Sequence, residues 1–251
     1  LTLVLFLRSG EGLIVCADRD ASQEDLPDLR APDVPRHQVR HHALAPTVSA
    51  FVLAPPALQE EFQLGIVDNP APEPVAFASM VKRVQETVVE SRARALKRRE
   101  GFGDRQPSRI PFPDIQAVIV GSEGGKTRLV YVSETGDVED RSRYEYEALG
   151  ALEFFAHLHL QHFPYRDAGA EARELIAFMV LEDVCDSPFT PPQGPPRFAL
   201  RGPPVLWRTN PHGELVRLPQ ERVVELAAES ARVRSRVAQI LAKWPASGAS
   251  P

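Results

Sequence analysis

The chain is an α+β protein made of antiparallel hairpins with helices packed outside them, and three features of its 251 residues predict this. Strand-like segments come in adjacent pairs joined by turns, without strict strand–helix alternation, which argues for antiparallel sheets over a doubly wound parallel sheet. The opening stretch Leu3-Val4-Leu5-Phe6-Leu7 is apolar at every position, the pattern of a strand covered on both faces. Long segments with apolar residues at three-to-four spacing supply helices able to cover a sheet. Two antiparallel sheets packed together with helices outside satisfy all three.

Each element follows from local chemistry. Ser9-Gly10-Glu11-Gly12 supplies a turn with two glycines, and Leu13 to Ala17 is the return strand, ended by Asp18. Residues 19–37 are polar and proline-containing, a loop. Gln38 to Leu44 and Val48 to Leu53 read as strands, and Ala54-Pro55-Pro56 breaks the ladder because proline offers no N–H. Ala57 to Leu64 is a short helix and Asp68 to Pro74 a loop. Val75 to Arg99 is a long amphipathic helix with Met80, Val81, Val84, Val88, Val89, Ala93 and Leu96 on its apolar side. Its basic end, RARALKRRE, suits the negative end of the helix dipole and reads as a solvated face. After the loop Glu100 to Pro113, Ile115 to Val120 and Leu129 to Val132 are strands. Ser133 to Gly136 is a turn, and Val138 to Tyr146 a more polar strand. Leu149 to Phe163 and Ala168 to Val184 are helices. A proline-rich loop precedes closing strands at Phe198 to Leu200, Val205 to Arg208 and Leu215 to Arg217. Pro219 stands where a helix starts, and Gln220 to Trp244 carries Val223, Val224, Leu226, Ala227, Val233, Val237, Ile240 and Leu241 on one face. That face is expected to dock on a sheet, with a subunit contact as the alternative. A single domain spans 1–245, and 246–251 is a disordered tail.

Composition narrows the function. Hydrophobic residues make up 43% and charged residues 25%, and the formal net charge is −5, so no global field draws the chain to nucleic acid or an anionic membrane. No apolar run reaches transmembrane length, and the opening LTLVLFL lacks the basic start of a signal peptide. The two cysteines, Cys16 and Cys185, make neither a disulfide framework nor a zinc site, and a reducing, cytoplasmic setting is expected.

Three motifs invite chemistry that their context does not support. VGSEGGKT departs from the phosphate loop G-x-x-x-x-G-K-[ST]: Val120 stands where the first glycine belongs, and the following RLVYV is strand-like, so a hairpin turn is expected. Of His157, His159 and His162, only the last two neighbour each other on a helix, with no carboxylate or cysteine to complete a metal set. His41 and His42 face opposite ways on a strand. No cofactor or metal is expected.

The first block is the most informative. If Leu1 is removed, as it would be were residue 1 a start methionine in the cell, Thr2 becomes a free N-terminus carrying a hydroxyl nucleophile and an amine base in one residue. Thr2, a strand, Gly12, a strand ending in Ala17-Asp18, and the hydroxyl residue Ser22 fall at the spacing found in proteasome β-type subunits and their bacterial relatives, the N-terminal nucleophile hydrolases. The hairpin of Ile115 to Val120 with Leu129 to Val132, followed by Gly136, is similar to that family's. So is the order of the helix after Gly150 and the next helix, ending at Cys185-Asp186-Ser187. The resemblance implies a four-layer αββα sandwich and often a homo-oligomeric ring acting on peptides or proteins.

Carried over residue by residue, Thr2 matches the nucleophile. Asp18 matches the carboxylate that orients the catalytic lysine and amine, and Asp186 the carboxylate near the nucleophile's amine. The lysine of the third strand has no counterpart among Arg36, His37, Gln38, Val39 and Arg40. His37 is the candidate proton shuttle there, and an arginine would act only as a fixed charge. Pro55-Pro56 falls where the resemblance places a glycine pair that gives an oxyanion N–H, and Ala151 where it places a hydroxyl. These departures lead to the expectation of a divergent member, weakly active or inactive as a peptidase and retained for assembly or binding. The alternative is an active N-terminal threonine peptidase or amidohydrolase using Thr2.

Overall fold

Strand pairing sorts the chain into two five-stranded antiparallel sheets. The computed structural model describes residues 3–9, 12–18, 38–68, 76–101, 114–150, 152–162, 168–185 and 204–243. In chain order these form β1 (Leu3–Ser9), β2 (Gly12–Ala17), β3 (Gln38–Ala45), β4 (Val48–Ala54), α1 (Pro56–Phe62), a π-helical turn (Gln63–Val67) and α2 (Phe77–Gly101). Then come β5 (Gln116–Glu123), β6 (Lys126–Val132), β7 (Val138–Asp140), β8 (Tyr146–Gly150), α3 (Glu153–Leu160), α4 (Ala170–Cys185), β9 (Val205–Thr209), β10 (Leu215–Arg217) and α5 (Gln220–Ala242). The first sheet has the order β10-β9-β2-β1-β8 and the second β3-β4-β5-β6-β7.

The all-apolar first strand does what its pattern predicts. Leu3, Leu5 and Leu7 join Ile14, Cys16 and residues of α3, α4 and α5 in one core, while Val4 and Phe6 join Val15, Phe51, Val118 and Trp207 in the core between the sheets. A third core lies on the far face of the second sheet, where α1 and α2 cover Ala50, Val52, Ala117 and Ile119. The layers are therefore helices, sheet, sheet, helices: an αββα sandwich.

Turn chemistry fixes both hairpins. Gly12 has φ 141°, and a Cβ there would fall on the Thr209 hydroxyl, which accepts the Leu13 N–H at 2.7 Å. The GSEGGKT segment is the β5–β6 hairpin, whose turn is Gly124 (φ 58°) and Gly125 (φ 73°), both facing open space. It is no phosphate loop, since a strand and not a helix follows it.

Several expectations need correction. The segment Val138 to Tyr146 is not one strand: β7 pairs with β6 in the second sheet, and β8 pairs with β1 in the first. The chain changes sheets between them, where Asp140 accepts the Ser142 N–H and Arg141 lies over the Tyr131 ring while pairing with buried Glu147. Leu149 and Gly150 complete β8, so the following helix starts at Glu153. The buried side of α2 comprises Phe77, Met80, Val81, Val84, Val88 and Ser91. Ala93 is exposed, and Val89 stands out of that core beside the Gly136 turn. Only the first half of α5 is docked, and its side-chain ties run to α4: Val223, Leu226 and Ser230 are buried, and everything from Ala231 to Lys243 is exposed. The expected strand Phe198 to Leu200 and the tail 246–251 lie outside the described residues.

Candidate functional site

The β1–β2 ladder builds the candidate site at one end of the first sheet. Val4 pairs with Ala17, and one step further the Asp18 N–H donates to the Leu3 carbonyl at 3.1 Å. Leu3 also pairs with Gly150 of β8. Asp18 is thus held, 7% exposed, across from the residue that follows Thr2. Cys16 lies two residues back on β2. Its thiol is pushed well above the usual range by burial first, then by Cys185, Asp18 and Glu182. That places the C-terminal end of α4 at the same end of the sheet. Both cysteines are buried free thiols.

Of the sequence-predicted residues, Asp18 is described, whereas Thr2, His37 and Asp186 lie outside the described residues, as does Ala151. The third strand is clear where it begins. Val39 is fully buried in the core between the sheets, paired with Leu53. Arg40 pairs with Val52, whose side chain belongs to the opposite core, under α1 and α2. Arg40 therefore stands on the helix-covered face beside His42, not toward the inter-sheet space. Pro55 follows β4 directly, its carbonyl accepting the Leu58 and Gln59 N–H groups at 3.0 Å each, and Pro56 opens α1. Neither can donate a backbone N–H.

Sequence reasoning separated His41 from His42 correctly but gave neither a place. His42 turns toward α1, with Nε2 3.3 Å from Gln59 Oε1 and its ring 5.1 Å from that of Phe62. His41 enters the inter-sheet layer, with Nε2 3.1 Å from Ser49 Oγ and its ring 5.0 Å from Phe51 and 5.3 Å from Trp207. Burial, then the charge of His42, lowers its pKa to about 4, so it is neutral at physiological pH. The alternation starting at Val39 was the available signal. Among the described residues no group of three or more His, Cys, Asp or Glu is placed to hold a metal, and no helix is long and apolar enough to cross a membrane.

Two five-stranded antiparallel sheets packed face to face between helix layers form a proteasome-like αββα fold. Among solved structures the chain is similar to Anbu, an ancestral β-subunit, from Yersinia bercovieri. The TM-score is 0.63 at 12% identity, over 99% of this chain and 100% of that one. No protein-family model and no curated protein matches the chain. At that identity the likeness establishes the fold alone.

Proposed function

We propose that this chain is a divergent proteasome-like shell protein, retained for assembly or binding and weak or inactive as a peptidase. The observation that carries the reading is the start of β3. Its inter-sheet position is Val39, and the charged neighbour, Arg40, belongs to the opposite face. A hydroxyl attacking a carbonyl needs a partner that takes and returns a proton, and neither residue offers one to the inter-sheet space. Pro55-Pro56 adds to this, since losing one oxyanion donor costs on the order of 10²–10³ in rate.

A second reading, an active N-terminal threonine amide hydrolase, draws support from Asp18, a buried carboxylate across from Leu3. In that reading the Thr2 hydroxyl attacks, its own amine takes the proton, and Asp18 and Asp186 set the polarity, with His37 as the further shuttle. Intact mass and labelling separate the two. The shell reading expects no adduct on Thr2 from a β-lactone or peptide epoxide, even in chains whose mass shows residue 1 removed. Stoichiometric labelling, abolished by Thr2→Ala, would replace it with the hydrolase reading.

A further inference from the structure

The helix layer over the first sheet has two unlike flanks. α4 lies over β2 and β1 at the centre. α5 follows β10 and is tied to β9 because Arg208 and Arg222 share the buried Glu174 carboxylate, at 3.1 and 3.0 Å. α3 follows and packs on β8. Since β10 and β8 are the two edges of that sheet, α5 and α3 occupy opposite edges of one layer.

The α5 flank is an unfinished interface. Val223, Leu226, Ser230, Val233, Val237 and Ile240 repeat at alternating spacings of three and four, one continuous stripe. The first three are buried; the rest are exposed, with Ile240 at 54% and the adjoining Leu241 at 64%. α5 runs alongside α4 in the same direction: Arg222 meets Glu174, Ser230 donates to Glu182 at 2.8 Å, and Arg234 pairs with Asp183. α4 stops at Cys185, while α5 continues from Ser235 to Ala242, about 12 Å at 1.5 Å per residue. The exposed stretch 231–243 carries Arg232, Arg236 and Lys243 and contains no acid.

The α3 flank is its chemical complement. Phe154 (66% exposed) and Leu158 stand one turn apart on the outside of α3. Beside them are exposed Glu153 and, across the sheet edge, β7 with Glu139 and Asp140, whose carboxylates also pair with Arg141 and Arg128 of the same chain. Arg141 joins these parts, bonding Glu139 and buried Glu147, and the Glu147 carboxylate is 3.7 Å from His157 of α3. The levels also agree. α3 begins just after Gly150, which pairs with Leu3, and α4 ends beside Cys16, so the α3 start and the α5 projection lie at the same end of the layer.

We infer that the projecting half of α5 docks on the α3 flank of a second copy of this chain, its Val237–Ile240–Leu241 stripe on Phe154 and Leu158 and its basic side on the acidic rim. The contact is head-to-tail, because the two surfaces differ, and such contacts build rings or open helices, not closed pairs. This names the surface used in the assembly reading above, and it rests on that reading.

Native mass of the full chain and two variants tests it. The wild type should exceed the 27.8 kDa monomer. Ile240→Ser/Leu241→Ser and Phe154→Ser/Leu158→Ser should each run as monomers with unchanged far-UV ellipticity, because all four positions are exposed in the single chain, and with a melting temperature that no longer depends on protein concentration. Mixing the two variants should restore a 1:1 dimer and nothing larger, since each retains the surface the other lacks. If both variants assemble like the wild type, this contact is wrong while the assembly reading stands. If the α3 variant alone still dimerises, the stripe pairs with itself and the head-to-tail contact is overturned. A wild type monomeric at all concentrations would overturn both.

Discussion

His41 couples the inter-sheet layer to pH. Its folded pKa is lowered to about 4 by burial and by His42, whereas an unfolded histidine titrates near 6.5. Between these values the unfolded chain binds a proton that the folded chain refuses. The stabilising contribution is therefore complete above pH 6.5, declines as pH falls, and is gone below about 4. At about 1.4 kcal/mol per unit the swing is on the order of 3 kcal/mol, and His42, shifted the same way, adds to it. Urea unfolding at pH 7 and pH 4.5 should show this loss, and His41→Gln should flatten the slope while leaving Ser49 a hydrogen-bonding partner. A second residue-scale prediction concerns Gly12. Alanine there meets both a backbone conformation reserved for glycine and the Thr209 hydroxyl, so Gly12→Ala should cost about 2–4 kcal/mol. Gly124→Ala, at positive φ but in open space, should cost only about 1 kcal/mol. Thermal unfolding of the pair separates collision from backbone strain.

At the scale of elements, Glu174 is the tie between α4, β9 and α5. Its carboxylate is buried and receives Arg208 and Arg222 from two other elements. Removing one member of a fully buried pair costs about 3–5 kcal/mol. Because Arg208 still reaches water, Glu174→Ala should cost about 2 kcal/mol, read as a lower urea midpoint, with raised proteolytic susceptibility of α5. None of this was legible in sequence, where Glu174 is one acid in a helix rich in them. What was legible had a local cause. The two-sided burial of β1 followed from its uninterrupted apolar run, and the β5–β6 hairpin from two adjacent glycines. The break between β7 and β8 was invisible because it depends on which sheet each half joins, a choice made by Arg141, Tyr131 and Glu147 in three dimensions. The α5 stripe was visible, but a periodic stripe does not say how much of itself the parent domain covers. In the candidate site, Asp18 was proposed from its spacing to Thr2 and Gly12. That Arg40 stands on the helix-covered face required the β3–β4 register.

At the scale of the whole molecule, the two sheets are expected to unfold together. β1 contributes alternate residues to the helix-covered core and to the inter-sheet core, and β4 and β5 do the same on their side. Parting the sheets would expose Phe6, Phe51, Val118 and Trp207 at once, and at about 25 cal/mol per Å² of apolar surface no remaining half keeps a complete core. Trp207 is suited to report this. It sits on β9 of the first sheet, 4% exposed, with its ring 5.5 Å from Phe51 of the second. The only other tryptophan, Trp244, can be replaced by phenylalanine so that fluorescence comes from the interface alone. Far-UV ellipticity follows the helices of both outer layers. The two signals should trace one urea transition, with the same midpoint and the same dependence on denaturant. A fluorescence change that completes before ellipticity is lost would mean that each sheet holds its own helices after the inter-sheet core has opened. The cooperativity argued from shared strands would then be wrong.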